Sequence, residues 1–181
     1  MLTKQRIRSK ILLRLKAQKE EEREQKSYII KKKLFGKGVF QKAKVVMFYI
    51  ALAGEVDTEE MIKEAQKSGK IVCVPTCNKN RNQMSPCVLD EHAKLKKGPY
   101  GVCEPVRRKP LRFKDLELVI VPGVAFDKKG RRLGRGKGCY DYFLRRLPED
   151  TPTLGLAFDF QILPYIPTTL HDVSVNKVIF A

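Results

Sequence analysis

The stretch from Leu116 to Leu147 constrains this chain more than any other. Leu116 to Val121 is an apolar run of strand length that ends at Pro122-Gly123, while Tyr140, Phe143, Leu144 and Leu147 recur at helical spacing until Pro148. Between them lies Asp127-Lys-Lys-Gly-Arg-Arg-Leu-Gly-Arg-Gly-Lys-Gly138. Glycines at alternate positions (Gly134, Gly136, Gly138), with Arg132, Arg135 and Lys137 among them, therefore sit between a strand and a helix. Such a loop lets backbone N–H groups converge on an anion, and the following helix adds the positive end of its dipole. A phosphate suits this arrangement best.

Other segments place the loop in an α/β frame. Residues 3–19 carry Ile7, Ile11, Leu12 and Leu15 on one helical face, and the acidic run Glu20–Glu24 is either a solvated face or the start of a second helix reaching Phe35. Gly36 and Gly38 stop that pattern. Val45 to Ile50 and Ile71 to Val74 read as strands covered on both faces, joined by a helix that begins near Asp57-Thr-Glu-Glu60 and ends at Gly69. Asn, Lys and Arg around 78–82 predict a loop, and Met84 to Leu89 an edge strand. Thr153–Phe158 and Val173–Phe180 are further strands. The expected fold is α/β: a single three-layer domain over 1–181 with a mixed, mainly parallel sheet flanked by helices. Its ligands belong beyond the carboxyl ends of the strands, where residues 51–55 and 122–141 fall.

The net charge of +17 is compatible with a nucleic-acid binder, with small polyanionic ligands, or with a solvated basic surface. No RNA-recognition signature, paired-cysteine zinc pattern or leucine zipper accompanies it. No apolar stretch reaches the roughly 18 residues of a membrane span, and the first residues lack the apolar core of a signal peptide. Five cysteines in no secreted framework fit reduced thiols, with Cys73 and Cys77 expected to be buried. The expectation is a cytoplasmic monomer that binds neither membrane nor nucleic acid.

The glycine loop fits neither common nucleotide motif. A Walker A loop needs glycine at position 131 and Ser or Thr at 138, where this chain has Arg131 and Gly138; the dinucleotide pattern fails at Cys139. Taken together, however, Val121-Pro-Gly-Val-Ala-Phe-Asp127, Gly130, Arg132-Leu-Gly-Arg-Gly-Lys-Gly138 and Tyr140-Asp141 resemble the signature of the 5-formyltetrahydrofolate cyclo-ligases, also called 5,10-methenyltetrahydrofolate synthetases. Lys4 and Arg8, Glu55-Val-Asp-Thr58, Tyr100-Gly-Val-Cys-Glu-Pro105, Gly155-Leu-Ala-Phe158, Gln161 and His171-Asp172 agree in order and spacing. The chain departs from the family at Cys139, where an aromatic residue is common, and at Asn176, where an acidic one is.

The resemblance implies an ATP- and Mg2+-dependent enzyme that closes 5-formyltetrahydrofolate to 5,10-methenyltetrahydrofolate, releasing ADP and phosphate. It implies that Lys4, Arg8, Arg132, Leu133, Gly134, Arg135, Gly136, Lys137, Gly138, Cys139 and Tyr140 bind ATP. Arg135 and Lys137 are the implied catalytic cations. Arg8, Ile50, Glu55 and the segment Arg135, Gly136, Lys137, Gly138 and Cys139 meet the folate, and Asp141 and Asp172 are the implied metal ligands. Read from the residues alone, Asp141 is a first-turn dipole partner, Lys4 and Arg8 are solvated positions and Ile50 is core, while Glu55 is either a helix cap or a ligand contact and Asp172 either a turn residue or a metal ligand.

Overall fold

The apolar runs become the centre of a six-stranded sheet in a computed structural model that describes residues 3–78 and 83–181. Helix α1 (Lys4–Ala17) starts on Thr3, whose hydroxyl accepts from the Arg6 N–H, and buries Ile7, Ile11 and Leu15. It breaks at Gln18, whose extended backbone lets the side-chain amide donate to the carbonyls of Leu15 and Gly54. The acidic run then opens a separate helix, α2 (Glu20–Phe35), with Glu20, Glu21 and Glu22 at the positive end of its dipole. Gly36 ends α2, but Gly38 does not act as a stop: it opens the short α3 (Gly38–Lys42).

Strand β1 (Val45–Met47) is shorter than its apolar run, because Tyr49 and Ile50 turn out of the ladder to line the cleft described below. Helix α4 (Glu59–Lys67) buries Met61, Ile62 and Ala65, and its first amide donor, Glu59 N–H, bonds the Asp57 carboxylate at 2.8 Å. Strand β2 (Ile71–Asn78) pairs in parallel with β1, and β3 (Gln83–Val88) returns antiparallel at the sheet edge, as expected. The loop expected around 78–82 falls outside the described residues apart from Asn78.

A hairpin of β4 (Leu95–Lys97) and β5 (Cys103–Pro105) follows, and then the buried β6 (Leu118–Val121). Strands β7 (Ala125–Asp127) and β8 (Arg132–Leu133) bracket a turn and lead into helix α5 (Cys139–Leu144). That helix stops short of the expected Leu147, so its dipole contribution is small. Strand β9 (Thr153–Ala157), the short β10 (Ile162–Leu163) and β11 (Lys177–Phe180) complete the order β11-β9-β6-β1-β2-β3 in the main sheet. Within that sheet, among the described residues, only β2 and β3 pair antiparallel, giving the mixed, mainly parallel sheet.

Side-chain alternation assigns the two faces. Val46, Val72, Leu118 and Ile120 join the cluster under α1, α2 and α4, whereas Met47, Cys73, Val119 and Val121 join Phe143 and Leu144 of α5. Helices therefore cover both faces of the sheet. Among the described residues no helix is long and apolar enough to cross a membrane.

A small sheet, β10-β7-β8, holds the glycine loop against this frame. Its anchor is Phe126, fully buried, whose ring is so close to the backbones of Gly123 and Gly155 that a Cβ at either would lie 2.5 or 2.6 Å from it. The buried Asp127 carboxylate accepts from the N–H groups of Lys129, Arg131 and Ile166 and from the Arg131 guanidinium, which closes the turn. Gly155→Ala drives a methyl group into the Phe126 ring. The variant is expected to lose about 1–3 kcal/mol in chemical denaturation; unchanged stability would show that Phe126 has room to move.

Candidate active site

Beyond the carboxyl ends of β1, β2 and β6 opens a cleft of about 380 Å³, within the range of small-molecule sites. Every site residue expected from the sequence lines it: Lys4, Arg8, Ile50, Glu55, the whole run from Arg132 to Tyr140, Asp141 and Asp172. They come from segments far apart in the chain, so the fold gathers what the sequence lists separately.

The glycine loop forms one side. Gly136 and Gly138 have φ of 99° and 69°, a region costly for residues with a Cβ, and Gly138 leads directly into α5. Arg135, Gly136, Lys137 and Gly138 are exposed on the loop, while Arg132 behind them is buried. Lys4 and Arg8, one turn apart on α1, both reach this side. Arg8 Nε donates to the Gly134 carbonyl at 2.9 Å, and Lys4 Nζ pairs with the Asp172 carboxylate. These two are therefore cleft residues and not solvated positions.

Two carboxylates face the same region. Asp141 Oδ1 accepts from Arg132 Nη2 at 2.9 Å and from the Val173 N–H at 3.1 Å. Asp172 Oδ2 accepts from Lys4 and from both the N–H and the hydroxyl of Thr169. The second oxygen of each carboxylate takes no hydrogen bond from the described residues. Among those residues no cluster of three or more His, Cys, Asp or Glu side chains forms a metal cage. A donor set of two aspartates suits Mg2+, which keeps several waters and binds substrate phosphates.

Glu55 does not cap α4. Its Oε2 accepts from the Leu52 N–H at 3.0 Å and its Oε1 from Arg135 at 2.7 and 3.1 Å, so the carboxylate joins the residues 51–55 turn to the glycine loop. Tyr49 and Tyr140 border the same end of the cleft. Burial, reinforced by the Glu55 charge, pushes both phenols above their ordinary range. Tyr49 donates to the Val56 carbonyl. The Tyr140 hydroxyl and Arg132 Nε are buried without a hydrogen-bond partner among the described residues.

Several lining residues had no site role expected from the sequence. Cys77, expected to be buried, is half-exposed at the end of β2 and lines the cleft; burial pushes its thiol up to about 11. Cys73, by contrast, is fully buried. Met84, Tyr100, Val102 and Arg145 also contribute. Arg145 was legible in principle, because it lies four residues beyond Asp141 and so on the same helical face.

Comparison with known proteins follows this geometry. Residues 1–181 match the model of the 5-formyltetrahydrofolate cyclo-ligase family. The 5-formyltetrahydrofolate cyclo-ligase of Mus musculus is 35% identical over 188 residues, covering 98% of this chain and 93% of the mouse protein. That of Escherichia coli K12 is 29% identical over 147 residues, covering 76% and 78%. The solution structure of Aquifex aeolicus 5,10-methenyltetrahydrofolate synthetase superimposes with a TM-score of 0.87 at 32% identity, covering 99% of this chain and 90% of that one. The Mycoplasma pneumoniae 5,10-methenyltetrahydrofolate synthetase shares the fold, with a TM-score of 0.81 at 20% identity over 98% of both chains.

The Lys4–Asp172 pair ties α1 to the C-terminal segment and carries a pH signature. Burial works to raise the Asp172 carboxyl, but the bonds from Lys4 and Thr169 outweigh it and hold the group below its ordinary value of 3.8. A depressed acid stabilises the fold above its unfolded value and loses that contribution as pH falls through the lowered one. Acid titration of stability should therefore show a loss below pH 3.8 that is shallower in Asp172→Asn; identical acid limbs would deny the pair any role in docking α1.

Proposed function

The chain belongs to the 5-formyltetrahydrofolate cyclo-ligase family, and from that premise we propose that its cleft closes 5-formyltetrahydrofolate to 5,10-methenyltetrahydrofolate at the expense of ATP. What supports this reading most is one juxtaposition: Arg135 of the glycine loop is hydrogen-bonded to Glu55, so an anion-binding loop and a carboxylate suited to a pterin share one cavity.

The chemistry needs activation, because a formamide carbon is a poor electrophile and its oxygen a poor leaving group. The formyl oxygen attacks the γ-phosphorus and ADP departs, leaving a phosphorylated formyl group on N5. The N10 lone pair then adds to the formyl carbon, phosphate leaves with the C–O bond, and the N10 proton passes to solvent. These steps demand positioning and charge neutralisation and no covalent nucleophile from the protein.

In this reading the N–H groups from Gly134 to Gly138, with Arg8, Arg135 and Lys137, hold the triphosphate. Arg135 and Lys137 neutralise the charge that develops on the transferred phosphoryl. Glu55 accepts from the pterin ring N–H and amino donors, and Ile50 packs against the ring. Asp141 and Asp172 would hold Mg2+ together with phosphate oxygens and water; bound there, the ion neutralises charge on the β- and γ-phosphates. We further place the enzyme in the cytosol, with support from the five unpaired cysteines, which suit a reducing compartment, and read it as a monomer without a nucleic-acid partner.

The direct test mixes the protein with 5-formyltetrahydrofolate, ATP and Mg2+ and follows the near-ultraviolet absorbance of the methenyl product. Appearance of that band only with all three present is expected; folded protein without it rejects the reading. Lys137→Ala should slow turnover by about 100-fold or more while changing stability by no more than about 0.5 kcal/mol, since the residue is exposed on its loop. Retention of the parent rate would remove Lys137 from the phosphate site. Asp141→Asn keeps an acceptor for Arg132 and Val173 but weakens a cation ligand. The Mg2+ concentration for half-maximal turnover should rise about tenfold, and a superimposable metal titration would return Asp141 to a purely structural role.

A further inference from the structure

The β4–β5 hairpin forms part of the cleft although it belongs to neither larger sheet. It pairs Leu95 with Pro105, Lys96 with Glu104 and Lys97 with Cys103, and all of β4 is exposed. An isolated two-stranded hairpin is marginal in water. Its tip nevertheless holds a costly conformation, with Tyr100 at a φ of 61°, and it delivers Tyr100 and Val102 to the cavity. Something outside the hairpin must fix it.

Glu104 supplies one such connection. Its side chain is 1% exposed, yet a carboxylate is rarely buried unless its partners are in place. Oε1 accepts from the Cys77 N–H at 2.7 Å, and Oε2 accepts from Arg108 Nη2 at 3.0 Å. Cys77 is the penultimate residue of β2 and itself lines the cleft, so the bond joins the hairpin to the main sheet at the cavity wall. Gly98 makes room for it: a Cβ there would lie 2.7 Å from Glu104 Cδ and 2.8 Å from Cγ.

We propose that Glu104 is a positioning residue for the folate: its buried carboxylate clamps the β4–β5 hairpin to the end of β2 and so sets the wall formed by Tyr100 and Val102. The clamp lies on the folate side of the cleft. Strand β2 neighbours β1, which leads to Ile50 and Glu55, whereas Asp172 follows β9, on the other side of β1 in the main sheet. This inference rests on the cyclo-ligase reading of the cleft.

The experiment compares KM for 5-formyltetrahydrofolate and for ATP, with kcat, in the parent, Glu104→Ala, Glu104→Gln and Gly98→Ala. It also measures amide exchange at Cys77. Glu104→Ala should raise the folate KM tenfold or more, leave the ATP KM within twofold, and speed exchange at Cys77. Glutamine keeps the acceptor for that amide, so Glu104→Gln should stay within threefold of the parent. Gly98→Ala, which pushes the carboxylate aside without removing it, should reproduce the folate KM rise; with Glu104→Gln it decides the matter should Glu104→Ala fail to fold. A folate KM unchanged in Gly98→Ala and Glu104→Ala, or equal rises for both substrates, overturns the proposal. Absence of turnover in the parent strikes the cyclo-ligase reading instead, while the Cys77 exchange still reports whether the clamp exists.

Discussion

Arg132 carries its guanidinium into the protein with only 3% of the side chain exposed, and the geometry of the cleft follows from how that charge is met. A buried cation is costly unless paired, and removal of one partner from such a pair typically destabilises by about 3–5 kcal/mol. Here Asp141 supplies the opposite charge from the first turn of α5, the Pro122 carbonyl lies 3.5 Å away, and the guanidinium stands 5.6 Å over the Tyr140 ring. Asp141 also takes the Val173 N–H. Strand β8, helix α5 and the segment before β11 are thus drawn to one point, with the glycine loop suspended between the first two. The loop can be exposed and rich in glycine because its two ends are pinned.

The same economy of contacts appears across the cleft. Arg135 and Glu55 are partners in this state, so under the proposed function a pterin at Glu55 and a phosphate at Arg135 would both compete with one ion pair. In that pair Arg135 is 42% exposed whereas Glu55 is only 11% exposed, so the guanidinium is the partner that solvent reaches. Lys4 and Arg8 show a further link, because one helix touches both the Asp172 carboxylate and the Gly134 carbonyl. Movement of α1 therefore moves two parts of the proposed phosphate site together.

Much of this was legible in the chain, for identifiable reasons. Runs such as Leu118–Val121 and Val45–Met47 are apolar on both faces because helices cover both, and that made the central strands readable. Strand ends were less so: Tyr49 and Ile50 are as apolar as their predecessors but serve the cleft, and Val173–Asn176 is spent on Asp141 and Thr153 before β11 begins at Lys177. The hairpin at 95–105 was marked by the resemblance over Tyr100–Pro105 and by no strand pattern, since β4 is Leu95-Lys-Lys97 and fully exposed. Local spacing could not distinguish a capping Glu55 from one that faces Arg135, nor a turn Asp172 from one that meets Lys4, because both answers depend on residues more than 70 positions away. For those positions it was the resemblance to a family that pointed to the cleft.

The central claim is that the segment from Arg132 to Asp141 grips a triphosphate and presents its terminal group to a folate held at Glu55. A crystal structure with a non-hydrolysable ATP analogue, 5-formyltetrahydrofolate and Mg2+ tests it directly. The account predicts γ-phosphate oxygens within about 3.2 Å of the N–H groups of Gly134 to Gly138 and of Lys137 Nζ, with the pterin on Glu55. Nucleotide seated elsewhere on the molecule, with that loop touching neither ligand, would contradict it.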